Sequence, residues 1–131
     1  MIFEAVLYFS SSSGKSLKVA KSFNMLLLDV EKNPNIKKYK NIIIVCPTYG
    51  DEELPLAMEK YLLKLKLKNK NYAVCELGNF FGFEKEFGAL RIIKHQLSLL
   101  GWNLIDEISI DSNPDIDWEV FENWKNKLLR K

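Results

Sequence analysis

The stretch from Ile2 to Ser16, with the sequence IFEAVLYFSSSSGKS, joins an apolar run to a serine-rich loop. Its first part, Ile2–Phe9, is rich in residues that favour β-strands and stops abruptly at Ser10. After the loop, Lys15–Leu28 carries apolar residues at helical spacing. The stretch therefore predicts a strand, a polar loop and a helix, the order of elements that begins a parallel α/β sheet.

The remainder of the chain repeats this alternation, which predicts a single α/β domain over residues 1–131. In Leu26–Tyr39 the sequence allows either a short edge strand that overlaps the end of the first helix or a shortened connection. The other predicted elements are strands at Ile42–Cys46, Tyr72–Leu77 and Trp102–Ile110 and helices at Pro55–Leu67, Phe87–Leu100 and Asp115–Leu129.

The composition is typical of a soluble globular protein, with 47% hydrophobic and 27% charged residues among 131. No apolar run approaches the roughly 20 residues that span a bilayer, and Glu4 interrupts the first apolar stretch, so no secretion signal is indicated. We therefore expect a cytoplasmic protein with no membrane partner. Cys46 and Cys75 lie inside apolar runs without metal-ligand spacing, and we expect both to be buried free thiols.

The net charge of +2 hides an uneven distribution. Residues 1–70 carry 12 lysines and 7 acidic residues, whereas residues 71–131 carry 7 basic and 10 acidic residues. A lysine cluster near the middle of the chain could bind nucleic acid, but only Tyr61 and Tyr72 lie near enough in sequence to stack on bases. We therefore expect no nucleic-acid partner. The cluster is predicted to be the solvated face of a helix and the loop that follows it, and it comprises Lys60, Lys64, Lys66, Lys68 and Lys70.

Three unusual loops follow predicted strands, at Ser10–Lys15, Pro47–Leu54 and Gly78–Glu86. In a parallel sheet such loops share the carboxyl edge, where ligands bind. Their coincidence at one edge indicates a ligand site more strongly than any one loop does.

The serine loop has the features of an anion site. Hydroxyls and unpaired N–H groups at a helix N-terminus attract negative charge, Gly14 lets a ligand approach the backbone, and Lys15 could add a positive charge. A simple N-cap would need only one serine. A nucleotide-binding P-loop is disfavoured, because Phe9 replaces its first glycine and Asp51 lies well past the strand end where magnesium would be held.

These loops resemble those of the flavodoxin family. Ser11–Ser16 is similar to the T/S-x-T-G-x-T loop that holds the phosphate of FMN in flavodoxins. Pro47–Asp51 (PTYGD) resembles the loop whose aromatic residue packs on one flavin face, and Gly78–Phe83 (GNFFGF) lies where a second aromatic residue covers the other face. The resemblance implies FMN as cofactor and a flavodoxin-like three-layer sandwich, with a five-stranded parallel sheet in the order 2-1-3-4-5 and a shortened second strand region.

The resemblance also implies the residues of the site. Tyr49 would stack on one face of the flavin and a phenylalanine of the third loop on the other, while backbone amides near Gly50 and Gly78 would bind the polar edge of the ring. Acidic residues beside the loops would lower the reduction potential. The expected cofactor-binding residues are Ser11, Ser12, Ser13, Gly14, Lys15, Ser16, Pro47, Thr48, Tyr49, Gly50, Asp51, Gly78, Asn79, Phe80, Phe81 and Phe83.

The implied function is that of a low-potential electron carrier, a monomer that passes electrons between redox partner proteins without substrate chemistry of its own. His95, the only histidine, is predicted on a helix surface away from the loops, so we expect no catalytic residue and no metal site. Two alternatives stay open: a flavodoxin-like activator of ribonucleotide reductase, and a flavodoxin-shaped interaction or regulatory module without a cofactor.

Overall fold

Five parallel strands form a sheet in the order β2-β1-β3-β4-β5 in the computed structural model, which describes residues 1–48, 54–78 and 88–131. The predicted strand order is therefore confirmed. The strands are β1 (Ala5–Tyr8), β2 (Leu26–Asp29), β3 (Asn41–Pro47), β4 (Asn71–Gly78) and β5 (Asn103–Asp111). The helices of the described ranges are α1 (Lys15–Ser22), α2 (Leu56–Lys64), α3 (Ala89–Ser98) and α4 (Trp118–Leu129), and a 3₁₀ turn spans Val30–Lys32.

Helices cover both faces of the sheet, as a three-layer sandwich requires. On one face α1 and α4 pack on strand residues such as Val6 and Ile43. On the other face α2 and α3 pack on residues such as Leu7 and Ile44. Because β3 and β4 lie inside the sheet and are covered on both faces, almost all their side chains are buried, which explains their nearly continuous apolar sequences.

The first helix ends at Ser22, so the prediction that it continues to Leu28 is wrong. Asn24 has a φ of 57°, a left-handed conformation that interrupts a right-handed helix. The chain then pairs Leu26–Asp29 in parallel with Ala5–Tyr8. The expectation of a short edge strand in this region is therefore confirmed.

The other three helices also differ from the predicted ones at their ends. The second helix stops at Lys64 rather than at Leu67, because Leu65 is extended, with a ψ of 132°. The third helix ends at Ser98, before the predicted end at Leu100. The last helix begins at Trp118 rather than at Asp115, since the carboxylate of Asp117 accepts a hydrogen bond from the Val120 N–H and caps it. None of the described helices is long and apolar enough to cross a membrane.

A row of asparagines aligns the amino ends of the three strands β3, β4 and β5. Asn41, Asn71 and Asn103 are in register with one another. The amide nitrogen of Asn71 lies 2.8 Å from the side-chain oxygen of Asn41, and that of Asn103 lies 3.4 Å from the oxygen of Asn71. A shift of one strand by one residue would break these hydrogen bonds, so the asparagine row helps to fix the register of the three strands.

Lys70 is buried, so its assignment to a solvated lysine face is wrong. Its ammonium group donates hydrogen bonds to the carbonyl oxygens of Lys37 and Tyr39, at 3.2 and 2.5 Å. Burial lowers the pKa of Lys70, and the charge of Glu4 opposes that shift. The other members of the cluster are exposed, as expected: Lys60, Lys64, Lys66 and Lys68.

Candidate functional site

The serine loop connects the carboxyl end of β1 to the start of α1. Gly14 has φ 76° and ψ 4°, the left-handed conformation that glycine adopts without strain. Its N–H donates to the carbonyl oxygen of Ser11 at 2.9 Å, which closes a turn, and its own carbonyl accepts from the Lys18 N–H at 3.1 Å, which opens the helix. The loop therefore turns sharply at the sheet edge and presents the first turn of α1 toward it.

The first turn of α1 has unpaired donors. Within the described residues, the backbone N–H groups of Lys15, Ser16 and Leu17 have no acceptor, as is general for the first turn of a helix without a side-chain cap. Such N–H groups and the positive end of the helix dipole attract an anion. The serine hydroxyls beside them include the pair Ser11 and Ser13, whose oxygens lie 3.1 Å apart.

The hydroxyl of Ser16 is the strongest indication of a ligand. The Ser16 side chain is fully buried, and its oxygen has no hydrogen-bond partner among the described residues. A buried hydroxyl without a partner is costly, so such groups are usually satisfied. A phosphate oxygen at this helix N-terminus would supply the missing acceptor, and the residues present therefore fit the phosphate of FMN.

Lys15 does not direct its charge into the loop. Its ammonium group donates hydrogen bonds to the carbonyl oxygens of Ser112 and Pro114, at 2.5 and 2.9 Å, in the connection between β5 and α4. Lys15 thus ties the start of α1 to a distant segment of the chain. The ammonium group of Lys15, which we expected to contribute a positive charge to the anion site, is instead bound by these two carbonyl oxygens.

The strands β3 and β4, after which the other two predicted loops begin in sequence, end at the same edge of the sheet. Thr48, which follows β3, donates its N–H to the Leu77 carbonyl at 2.8 Å, and Ser112, which follows β5, donates its N–H to the Gly78 carbonyl at 2.9 Å. Pro47 and Gly78 are the buried last residues of β3 and β4. The remaining expected site residues lie outside the described residues: Tyr49, Gly50, Asp51, Asn79, Phe80, Phe81 and Phe83.

Glu76 is a residue at this edge that the sequence analysis did not identify. It is 1% exposed, although it carries a carboxylate. One carboxylate oxygen accepts from the hydroxyl of Thr48 at 2.9 Å, and the other accepts from the hydroxyl of Ser109 at 2.7 Å. The signal in the sequence was an acid inside the otherwise apolar strand YAVCELG, at a position where the alternation of side chains requires burial.

The remaining reactive groups lie in the core or on the surface. Cys46 and Cys75 are free and buried, as predicted, and burial, followed by the charge of Glu76, raises the pKa of both thiols. His95 is exposed on α3, also as predicted. Across residues 1–48, 54–78 and 88–131, no group of three or more His, Cys, Asp or Glu side chains could hold a metal ion.

Comparison with known families gives one match that spans most of the chain. The family described as Flavodoxin matches residues 7–124. No curated protein sequence matches the chain significantly.

Several solved structures have the same fold. A Fusobacterium nucleatum flavodoxin bound to flavin mononucleotide has a TM-score of 0.80 at 14% identity, covering 98% of this chain and 96% of that one. Flavodoxin 2 from Bacillus cereus has a TM-score of 0.75 at 24% identity, covering 95% and 94% respectively. A Streptococcus pneumoniae flavodoxin has a TM-score of 0.70 at 21% identity, with the same coverage of 95% and 94%. At these identities the similarity shows the fold.

Proposed function

Because the chain belongs to the flavodoxin family, a family of FMN-binding electron-transfer proteins, we propose that it binds FMN non-covalently and carries electrons between redox partner proteins. The observation that carries the proposal is the buried hydroxyl of Ser16, which has no hydrogen-bond partner among the described residues, beside the N–H groups that begin α1 and have no acceptor among those residues. This donor set lies at the carboxyl edge of the sheet, next to the point where the order of strands reverses between β1 and β3.

In this proposal the phosphate of FMN is held mainly by neutral groups. The N–H groups of residues 15–17 and the hydroxyl of Ser16 donate to its oxygens, and Ser11, Ser12 and Ser13 supply further hydroxyls. The dipole of α1 adds a favourable field that falls off within the first turn. Lys15 supports this arrangement from outside, because its hydrogen bonds to Ser112 and Pro114 hold the start of the helix.

The flavin ring belongs over the ends of β3 and β4. Thr48 and Gly78 lead into the segments that carry Tyr49 and the phenylalanines Phe80, Phe81 and Phe83, which we assign to the faces of the ring on sequence grounds. Aromatic faces exclude water from the ring, and each aromatic pair adds about 0.5–1.5 kcal/mol beyond the burial of area. When bound, FMN supplies the group that accepts and releases electrons, and the protein binds, orients and shields it.

Electron transfer, rather than conversion of a substrate, is the role that follows from family membership. We assign the partners to the class of redox proteins and place the carrier in the cytoplasm, which the two free thiols support. The chain's net charge of +2 argues against partner docking through a strongly acidic surface.

The proposal is tested by titrating the protein with FMN and, separately, with riboflavin, which has the ring but no phosphate. We expect quenching of FMN fluorescence at micromolar concentrations or below, and at least about tenfold weaker binding of riboflavin, because charge-assisted hydrogen bonds to a phosphate are lost. Absence of quenching with micromolar FMN would overturn the proposal. Equal affinities for the two flavins would show that the serine loop does not hold the phosphate.

A further inference from the structure

Glu76 is a buried carboxylate whose hydrogen bonds link three separate elements of the fold. Its side chain lies on the sheet face that carries Tyr72 and Val74, where apolar residues pack under α2 and α3. A buried carboxylate is tolerated only when hydrogen-bond donors surround it. Here the hydroxyls of Thr48 and Ser109 supply two donors, and the Leu90 N–H supplies a third at 2.7 Å.

The N-terminus of α3 is capped by these strand residues rather than by its own sequence. Gly88 occupies the N-cap position and offers no side-chain hydrogen bond. The N–H groups of Gly88 and Ala89 donate instead to the hydroxyl oxygen of Thr48, at 3.3 and 3.2 Å, and the Leu90 N–H donates to Glu76. A negative charge at this position is also favoured by the helix dipole.

The hydrogen bonds of Thr48 run in one direction. Because its oxygen accepts from two backbone N–H groups, its own proton is directed to Glu76, 2.9 Å away. Thr48 and Glu76 therefore form one unit that holds the start of α3 against the ends of β3 and β4. The N–H of Thr48 is itself bound to the Leu77 carbonyl at 2.8 Å, which fixes the residue to β4.

This unit adjoins two segments of the candidate site along the sequence. Residues 49–53 follow Thr48 in the chain, and residues 79–87 precede Gly88. We propose that Glu76 is a positioning residue that couples these two segments by holding their described neighbours, Thr48 and Gly88, in a fixed relation to each other. The inference rests on the proposed FMN function, and it assigns to Glu76 no contact with the cofactor.

The coupling is tested first in the protein without flavin, by hydrogen exchange of individual amides. Glu76→Gln keeps the shape of the side chain but removes the negative charge that strengthens the bonds from Thr48 and Leu90, and Thr48→Val removes the hydroxyl. We expect exchange at least about tenfold faster at Leu90 in the first variant and at Ala89 in the second, with little change at Leu97 near the far end of α3. Thr48→Ser, which keeps the hydroxyl, should retain slow exchange at Ala89.

The matched control is Glu107→Gln. Glu107 pairs with Lys94 of α3 at 2.9 Å, so this variant also removes one carboxylate that contacts the helix. Glu107 is partly exposed, and its partner Lys94 lies four positions after Leu90 in α3, beyond the N–H groups that Thr48 and Glu76 bind. We expect exchange at Ala89 and Leu90 to remain at the wild-type rate.

The second measurement compares flavins. In our proposal Glu76 acts on the segments 49–53 and 79–87 and not on the phosphate loop. Glu76→Gln should therefore weaken the binding of FMN and the binding of riboflavin by the same factor, about tenfold, and leave the ratio of the two affinities unchanged. An effect on FMN alone would contradict the assignment, because it would place the action of Glu76 at the phosphate.

The outcomes separate this inference from the proposed function. If wild-type protein binds neither flavin, the proposed function fails, and the exchange data alone decide whether Glu76 couples the two segments. Wild-type exchange at Leu90 in Glu76→Gln would overturn the coupling, as would equal acceleration throughout the protein, which indicates a general loss of stability. If Glu76→Gln does not fold, the comparison of Thr48→Val with Thr48→Ser tests the coupling instead. Equal exchange rates of the Ala89 amide in these two variants would contradict it.

Discussion

The ammonium nitrogen of Lys15 lies 2.9 Å from the carbonyl oxygen of Pro114, and this hydrogen bond joins the residue after the loop glycine to the connection between β5 and α4. A second bond from the same nitrogen reaches the carbonyl of Ser112. The positive charge of Lys15 therefore supports the scaffold, and the anion site that we propose relies on neutral donors and a helix dipole.

Replacing Lys15 by methionine should affect stability more than binding. The variant loses two hydrogen bonds from a charged donor, and bonds of this kind contribute about 1.5–3 kcal/mol each when buried; Lys15 is partly exposed, so we expect a loss of about 1–2 kcal/mol in the free energy of unfolding. The affinity for FMN should fall less than about threefold. Urea unfolding and flavin titration check the two effects, and a large loss of affinity without loss of stability would place the ammonium group on the phosphate.

Ser16→Ala should have the opposite pattern. Without ligand, the variant loses a buried hydroxyl that has no partner among the described residues, so the flavin-free protein should be as stable as wild type or slightly more stable. The affinity for FMN should fall about 10- to 100-fold, while that for riboflavin is unchanged. Ser22→Ala at the other end of α1, where the hydroxyl bonds the Val19 carbonyl, is the control and should leave FMN binding intact. Equal loss of FMN affinity in both serine variants would remove the special role of Ser16.

Gly14 should tolerate side chains according to their backbone preference rather than their size. Nothing lies within 4 Å of the position that a Cβ would occupy, but the φ of 76° strains residues with side chains. Gly14→Asn should therefore cost little, Gly14→Ala about 1 kcal/mol, and Gly14→Val more, with FMN affinity falling in the same order. Thermal unfolding and flavin titration of the series provide the measurement. Equal behaviour of the asparagine and valine variants would show that the left-handed turn is not required.

Stability should decrease in alkali. Burial raises the pKa of Cys46 and Cys75 above the ordinary value of 9.0, with the charge of Glu76 as the second cause, and burial raises the pKa of Tyr61 and Tyr72 to about 12. In the unfolded chain these groups ionise at lower pH, so unfolding releases protons above about pH 9 and is favoured as the pH rises. Lys70, whose pKa is lowered by burial, acts in the opposite sense.

Between about pH 7 and pH 10 we expect the free energy of unfolding to fall by about 2 kcal/mol, which urea unfolding at the two pH values measures. Most of it should disappear in a variant in which both cysteines are alanine. A pH-independent free energy of unfolding in the wild-type protein would contradict the burial of the thiols.

Local sequence patterns sufficed for the order of elements and for the position of the serine loop. The apolar runs of β3 and β4 have the pattern of strands buried on both faces, and the loop follows β1 directly. The end of the first helix was missed because the leucines of Leu26–Asp29 suit a helix and a strand equally, and pairing with β1 decides between them.

The roles of Lys15, Lys70 and Glu76 could not be predicted from neighbouring residues. Lys15 bonds carbonyls that lie 97 and 99 positions along the chain, and Glu76 bonds Ser109, which is 33 positions away. Such contacts exist only once the strands are arranged, because charge and hydropathy along the chain carry no information about which distant carbonyl or hydroxyl will lie nearby. The sequence predicts which edge of the sheet binds a ligand, and the fold determines which polar groups lie at that edge.

Non-covalent FMN binding is tested most directly by the amount of FMN that the protein retains after incubation with excess FMN and gel filtration. The visible absorption spectrum measures this amount. We expect a yellow protein that carries close to one flavin per chain, and a lower flavin content in Ser16→Ala under the same conditions. A folded wild-type protein that emerges colourless would contradict it.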